Sequence, residues 1–570
     1  MDDYSSLKAV EYVVDSKDLR ETICHKFDAD TELDKFLNNY YADGKPLVWV
    51  TREGLNPSID TLLSSVSQID SIGFDKECFN VSQIERDAKR LKRMKVSKEH
   101  PLGEILARLE SNLSKTYLRY VAGMRFGFVN PAYVFNYHEA VRDGKPKKVY
   151  DHKFEMDIIR PDSVFYSEAM ARADASDIAA LIEESKPADP LYLYLQDKLN
   201  QTAKNDTVHR GKYLANMERL RWKMKDSYEQ NPKYVLVNIP SFRLWGVGGD
   251  TVLTMKVVCG AVRTKSPLLT SKIKRIDLNP QWHVPHSISS KSLAHAGPGY
   301  FARNNMFFVD RSGRVLKYAS PDMRRRGLVS IVQRGGSHNS LGRIIFRFDN
   351  PFSVYLHHTN TPWAFQASNR AMSHGCIRLE RPLDLANFLM SDPSVQEKIA
   401  YSFSCDLSHP DSSKFIRQVA VSPEIPVYIV YQTIFSVPGS DEIIELDDIY
   451  GYDKMLVKSL MPLMNSRLRQ QLTAKPDEKK SEKKEAKSAE SKQKETTPAA
   501  DRQKETNSSD MKQKEAKPND NKQNEHKQGE NKPNTSSHAH TSKPSSEGVT
   551  KSTNHKNAST ERDGNTSTTH

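Results

Sequence analysis

"KYVLVNIPSFRLWGVGGDTVLTMKVVCGAV", residues 233–262, is where the hydrophobic period of the chain changes. Val235 and Val237 alternate with Leu236 and Asn238, a second apolar run follows at Arg243, and Gly248-Gly249-Asp250 separates it from a third. Period-two alternation, β-branched residues and a glycine-rich break spell strand, strand, tight turn, strand. The same grammar continues downstream. "LGRIIFRFDN" (341–350) and "FSVYLHHTN" (352–360) predict two strands joined at Asp349-Asn350-Pro351, and "IPVYIVYQTIF" (425–435) predicts another, after a helix at Pro382–Met390. Residues 232–440 are therefore expected to form one β-rich domain. The polar, Gly- and Arg-containing stretch 290–336 is expected to be a flap inserted over one end of it.

Upstream the period is helical. Leu102, Leu106, Leu109, Leu113, Tyr117, Tyr120 and Met124 fall on one helix face, a stripe that belongs to a core, and Gly127 and Pro131 end it. Shorter helices are expected at 168–184 and 210–230. The fold class that follows is α+β and multidomain: an N-terminal segment 1–29, a mainly α-helical scaffold 30–231, the β-rich domain 232–440 and an extension 441–475. Residues 476–570 contain no Phe, Trp, Tyr, Leu or Ile and predict a disordered low-complexity tail, because nothing there offsets the entropy of ordering. Its "KQKE"-like units at Lys492, Arg502, Lys512 and Lys522 repeat every ten residues but carry no apolar position to stack.

The 570 residues carry a net charge of +12, yet no zinc-finger spacing and no aromatic-basic RNA signature, so nucleic acid is not an expected partner. An anionic polymer such as a cell wall suits the charge equally well. Five scattered cysteines (Cys24, Cys78, Cys259, Cys376, Cys405) form no C-x-x-C pair, which speaks against a disulfide framework and the common structural zinc patterns. No run approaches the ~18 apolar residues of a membrane span. The first 20 residues have early acids and no apolar core of a secretory signal.

"AMSHGCIRLE" (371–380) places His374, Gly375 and Cys376 side by side, with Arg378 just beyond and Arg370 just before. A thiol attacks carbonyls well only as thiolate, so a catalytic cysteine needs a base or a positive neighbour. His374 is close in sequence, and "YLHHTN" supplies His357 and His358 at the end of a predicted strand. Gly375 permits backbone angles that other residues resist and lets N–H groups approach an oxyanion. Arg378 or Arg370 can pair with a substrate carboxylate. Two alternatives stand beside catalysis. Cys376 can be a small buried residue, or the histidines and Cys376 can ligate zinc, although adjacent histidines on a strand point to opposite faces.

The longer pattern "YLHHTN…RAMSHGCIRLERP" resembles the active-site segment of the L,D-transpeptidases, cysteine enzymes that crosslink bacterial peptidoglycan. "VLVNIPSFRLW" (235–245), "LNPQWHVPHSI" (278–288), "HNSLGRIIFRF" (338–348) and "DIYGYD" (448–453) resemble their large multidomain subgroup, as does "NMERLRW" at Asn216. The resemblance implies Cys376 as nucleophile and His357 as general base, its ring held by the backbone carbonyl of His358. It implies His374 and the backbone at Gly375 and Cys376 for the oxyanion, and Arg378, Arg370, Ser373 and Tyr355 for substrate. The implied substrates are peptidoglycan stem peptides, a donor tetrapeptide and an acceptor stem, in the periplasm or cell envelope, with envelope proteins as further partners and no cofactor or metal.

The product implied is a 3-3 crosslink with release of D-Ala. With water as acceptor the same site would act as an L,D-carboxypeptidase or other wall hydrolase; a catalytically silent wall-binding scaffold is the remaining alternative. Two departures from the family pattern stand out. His358 replaces a frequent Asp, which is expected to weaken activity below neutral pH if it is charged. The small peptidoglycan-binding module that often precedes "NMERLRW" has no room here. Export implies a leader, which this N-terminus does not spell.

Overall fold

The computed structural model describes residues 14–473, apart from 29, 52–53 and 143–144. The expected tail and the first 13 residues lie outside them. The N-terminal region is helical. Its central element runs from Leu102 to Phe126, and all seven stripe residues from Leu102 to Met124 are buried. Gly127, at φ +90°, ends the helix, while Pro131 opens the next one, Pro131–Asn136. Glu110 sits buried in the middle of the long helix. Its carboxylate accepts the N–H groups of Val48, Trp49 and Val50 (2.8–3.0 Å) and the Tyr41 hydroxyl (2.8 Å), tying the 48–50 segment to the helix.

Two expected helices are corrected in detail. The 168–184 run is two helices, Ser163–Asp174 and Ile178–Ser185, broken where Ser176 takes φ +56°. Short polar side chains there compete for backbone hydrogen bonds that a helix would need. The 210–230 run is one helix, Thr207–Arg221, begun by Asp206, whose side chain accepts the His209 N–H.

From Lys233 onward the chain builds a barrel-like sheet of ten strands: β1 (Phe154–Glu155), β2 (Lys233–Asn238), β3 (Arg243–Gly248), β4 (Thr251–Gly260), β5 (Leu268–Leu278), β6 (Ile344–Phe348), β7 (Leu356–His357), β8 (Ala371–Ser373), β9 (Ile377–Leu379) and β10 (Gln418–Val430). The order is β6-β7-β9-β4-β3-β2-β10-β5-β1, and β6 also pairs with β5, which closes the ring; β8 pairs with β4. The opening stretch forms the antiparallel run β2-β3-β4, with Val235 opposite Gly246 and Leu244 opposite Met255. β1 comes from the helical region and adds in parallel to β5, its Phe154 held at both N–H and C=O by the Asn136 amide. Helical region and sheet share one apolar core, from Leu19 to Leu468.

Residues 282–333 form their own small sheet. Trp282–His283, Val329–Gln333, Met306–Asp310 and Val315–Leu316 pair antiparallel in that order, with short helices between them. The insertion expected at 290–336 thus has a core, built on Val284, Leu293, Phe301, Phe308 and Ile331. Its apolar residues are spaced too widely among Arg and Gly for period-two alternation to show. Beyond the barrel, the helix Tyr452–Leu460 returns to Thr207–Arg221, where the buried Arg219 and Asp453 pair at 2.6 Å.

Candidate active site

Parallel pairing of β7 with β9 builds the site. Leu356 lies opposite Ile377 and His357 opposite Arg378, and the Ile377 N–H donates to the Tyr355 carbonyl at 3.0 Å. Side chains alternate along a strand, so Leu356, Ile377 and Leu379 enter the core, all at 0% exposure. Tyr355, His357, Cys376 and Arg378 consequently share the other face. The sequence separation of 19 residues between His357 and Cys376 collapses to neighbouring strand positions.

Cys376 is placed by a turn. Gly375 has φ +120°, a conformation that side chains with a Cβ rarely adopt. The Ser373 hydroxyl donates to the Cys376 carbonyl (2.5 Å) and accepts the Gly375 N–H (3.1 Å), closing the turn from inside. Cys376 keeps part of its surface open, and its Sγ lies 3.9 Å from the Ser353 carbonyl. Ser353 itself holds φ +54°, next to Val354, whose N–H and C=O are both bound by the Asn350 amide. Burial pushes the Cys376 thiol up, against the Tyr355 backbone N–H and the nearby Arg378 and Arg347 cations, which pull it down. The resting group is therefore a thiol.

His357 is 4% exposed, and burial lowers its pKa to about 4. Its Nδ1 lies 2.5 Å from the His358 carbonyl. A carbonyl only accepts, so Nδ1 carries the hydrogen and Nε2 keeps its lone pair. Burial outweighs this carbonyl and that of Leu341, both of which favour the charged ring, and Arg378 adds repulsion. The imidazole is neutral and free to take a proton.

His358 is neutral as well. Burial and Arg343 lower its pKa, its Nδ1 accepts the Arg343 N–H at 3.2 Å, and its ring packs edge-on against Phe403. The expected weakening below neutral pH required a charged His358, and burial together with Arg343 moves that charging to lower pH than for an ordinary histidine. Gly342, at φ +66°, lies so close beneath His358 that a Cβ would collide with its ring and backbone.

Other expected residues sort differently. Arg378 is half-buried and donates to Thr361 Oγ1 at 3.0 Å; burial lowers its pKa and Cys376 raises it. No carboxylate among the described residues pairs with it. Arg370, expected as a substrate ligand, donates from each of its three nitrogens to a carbonyl, of Val257, Ala367 and Phe242 (2.8–3.2 Å), and covers the Phe242 ring. Ser373, also expected at the substrate, is 3% exposed and braces the turn. The Gly375 N–H serves Ser373 and is not a free oxyanion donor, a second correction to the expected turn chemistry. His374 is exposed. The Tyr355 ring lies under Arg347 (4.4 Å), and its backbone N–H is what faces the thiol.

All five cysteines are free, and among the described residues no three or more His, Cys, Asp or Glu converge as metal ligands would. No described helix is long and apolar enough to cross a membrane. Thr361, Ser266 and Tyr450 join the site without having been foreseen; "DIYGYD", which contains Tyr450, was the one available signal.

Residues 232–399 match the model of the L,D-transpeptidase catalytic domain. By this match residues 232–399 form an L,D-transpeptidase catalytic domain. Residues 35–199 match the Scaffold domain, so the helical half has a family counterpart too. A Haemophilus influenzae protein named "Putative L,D-transpeptidase" is 28% identical over 228 residues. The alignment covers 39% of this chain and 45% of that relative, so the chain spans under half the relative's length. Between the two matched segments lies the helix Thr207–Arg221.

Proposed function

We propose that this protein forms 3-3 crosslinks in peptidoglycan through a thioester on Cys376, working in the cell envelope on a donor tetrapeptide and an acceptor stem. The observation that carries the reading is a neutral thiol on a Gly375 turn, one strand away from a neutral imidazole whose Nδ1–H is held by the His358 carbonyl. Because burial leaves both groups uncharged, the proton moves during attack and not before.

In the first half-reaction Sγ bonds to the carbonyl carbon that follows the L-centre of meso-diaminopimelate, and the thiol proton passes to His357 Nε2. The tetrahedral oxyanion collapses, the C–N bond breaks, and the imidazolium returns the proton to the departing D-Ala amine. An acceptor amine then attacks the thioester carbonyl and gives a proton to His357; the C–S bond breaks, and His357 reprotonates the thiolate. Arg378, close to both groups and free of carboxylates, is the fitting partner for a substrate carboxylate. The Cys376 and Tyr355 N–H groups are the proposed oxyanion donors. Residues 30–231 and 441–475 serve as scaffold and closing extension.

The test is intact-protein mass spectrometry after exposure to a carbapenem, whose strained carbonyl stands where the donor amide would. An adduct on wild type and none on Cys376→Ala is expected; no adduct on a folded wild type would overturn the thioester. Incubation with purified tetrapeptide muropeptides should then yield dimers. Trimmed monomers alone would make the enzyme a hydrolase.

A further inference from the structure

Gly375, at its unusual φ, has its carbonyl anchored. The Ser266 hydroxyl donates to it at 2.7 Å, and Ser266 Oγ in turn accepts the Gly260 N–H at 2.9 Å. Ser266 ends the short loop after β4, and that loop also holds the other side of the turn: the Ala261 N–H (2.9 Å) and the Thr264 hydroxyl (2.8 Å) both donate to the Ser373 carbonyl. The loop 260–266 thus clasps the residues on either side of His374, and Cys376 follows directly.

What fixes the loop is a residue nearly 190 positions away. The Tyr450 hydroxyl donates to the Gly260 carbonyl (2.5 Å) and accepts the Ser266 N–H (3.2 Å), pinning both ends at once. Tyr450 is 4% exposed and is itself fixed on every side. Its N–H donates to the Tyr431 hydroxyl (2.8 Å), which donates to Asp448 (2.7 Å); its ring stacks on Tyr431, and Lys265 Nζ donates to its carbonyl (2.8 Å). Gly260 packs so close to the Thr264 carbonyl that a Cβ there would collide with it. Tyr450 lies outside the segment that matches the catalytic-domain family, 232–399.

We propose that Tyr450, acting through Ser266, is a positioning residue that sets the turn carrying Cys376. The C-terminal segment 448–453 is then part of the catalytic machinery and not only a packing element. The inference rests on the reading of Cys376 as nucleophile. Displacing a nucleophile by about 1 Å can lower a rate ~100-fold, and loss of the phenolic hydroxyl frees both ends of the loop that anchors Gly375.

The test uses the full chain with Tyr450→Phe, Ser266→Ala and the double variant. Tyr450→Phe keeps the buried ring, and Ser266→Ala breaks the same link without touching the C-terminal segment, so one of them carries the test if the other fails to fold. Carbapenem acylation is expected to show a maximal rate reduced about 10- to 100-fold with half-saturation within about 2-fold of wild type. The double variant should be no slower than the slower single, because both act on one link. Alkylation of Cys376 by iodoacetamide, followed by peptide mapping against pH, should shift its midpoint in each variant. Wild-type acylation in a folded Tyr450→Phe, additive losses, or an unchanged alkylation profile would each overturn the proposal. If wild type itself is never acylated, the thioester reading falls, and the alkylation profile alone decides whether Tyr450 sets the turn.

Discussion

His357 and Arg378 are partners across the parallel β7–β9 pair. A permanent cation therefore stands beside the His357 imidazole and, through strand alternation, on the same face as Cys376. It acts in two directions: it helps keep the imidazole neutral, and it pulls the thiol pKa down against burial.

The pH dependence of acylation follows from His357. An ordinary histidine would lose its lone pair as pH falls through about 6.5, whereas His357 is held at about 4. The carbapenem acylation rate is expected to stay level from about pH 7 down to pH 5.5 and to fall only near 4. His358→Asp should move this limb upward, since a carboxylate next to the base favours its protonation. A wild-type limb centred near 6.5 would show that His357 is not the buried neutral base described here.

Removing the free cation tests substrate recognition. Arg378→Gln keeps a donor for Thr361 but no charge. A charge-assisted bond to a substrate carboxylate contributes about 1.5–3 kcal/mol, so KM for a tetrapeptide donor should rise about 10- to 100-fold, together with a higher alkylation pH for Cys376. An unchanged KM would assign Arg378 to the turn alone.

Glu110 offers a stability signature far from the chemistry. Burial raises its pKa from 4.5 to about 7, against four donors that favour the carboxylate. A raised folded-state value means that the native protein holds a proton the unfolded chain has lost. The stability so contributed is complete below about 4.5 and disappears as pH rises through about 7. Urea unfolding should show wild type losing on the order of 3 kcal/mol relative to Glu110→Gln between those limits. A wild-type-to-variant difference that does not change with pH would mean that the four donors cancel the burial.

Much of this was readable from local pattern. The β2-β3-β4 run, the long helix and the strand at Ile425 announce themselves because one face of each is buried, and burial writes a period of 2 or 3.6 into the sequence. The insertion was legible as a polar interruption, but its own small sheet and core at 282–333 and the break at Ser176 were not, because widely spaced apolar residues and short polar side chains leave no period. "HGC" alone left a nucleophile, a zinc ligand and a buried thiol open, and only the longer motif pointed to a family.

The chain by itself determined that a cysteine, a glycine before it and a distant histidine pair would matter, since residue identity sets what chemistry is possible. Tertiary structure decided how they act. Parallel pairing in one register, not sequence distance, put His357 and Cys376 on one face, and a one-residue slip would have sent either into the core. Desolvation, which no sequence window reports, made the thiol and the imidazole neutral and silenced His358. Hydrogen bonds within the fold engage Arg370 and Ser373 and bring Ser266 and Tyr450 to the turn. Each is a property of the space around a side chain, which exists only once distant segments have packed.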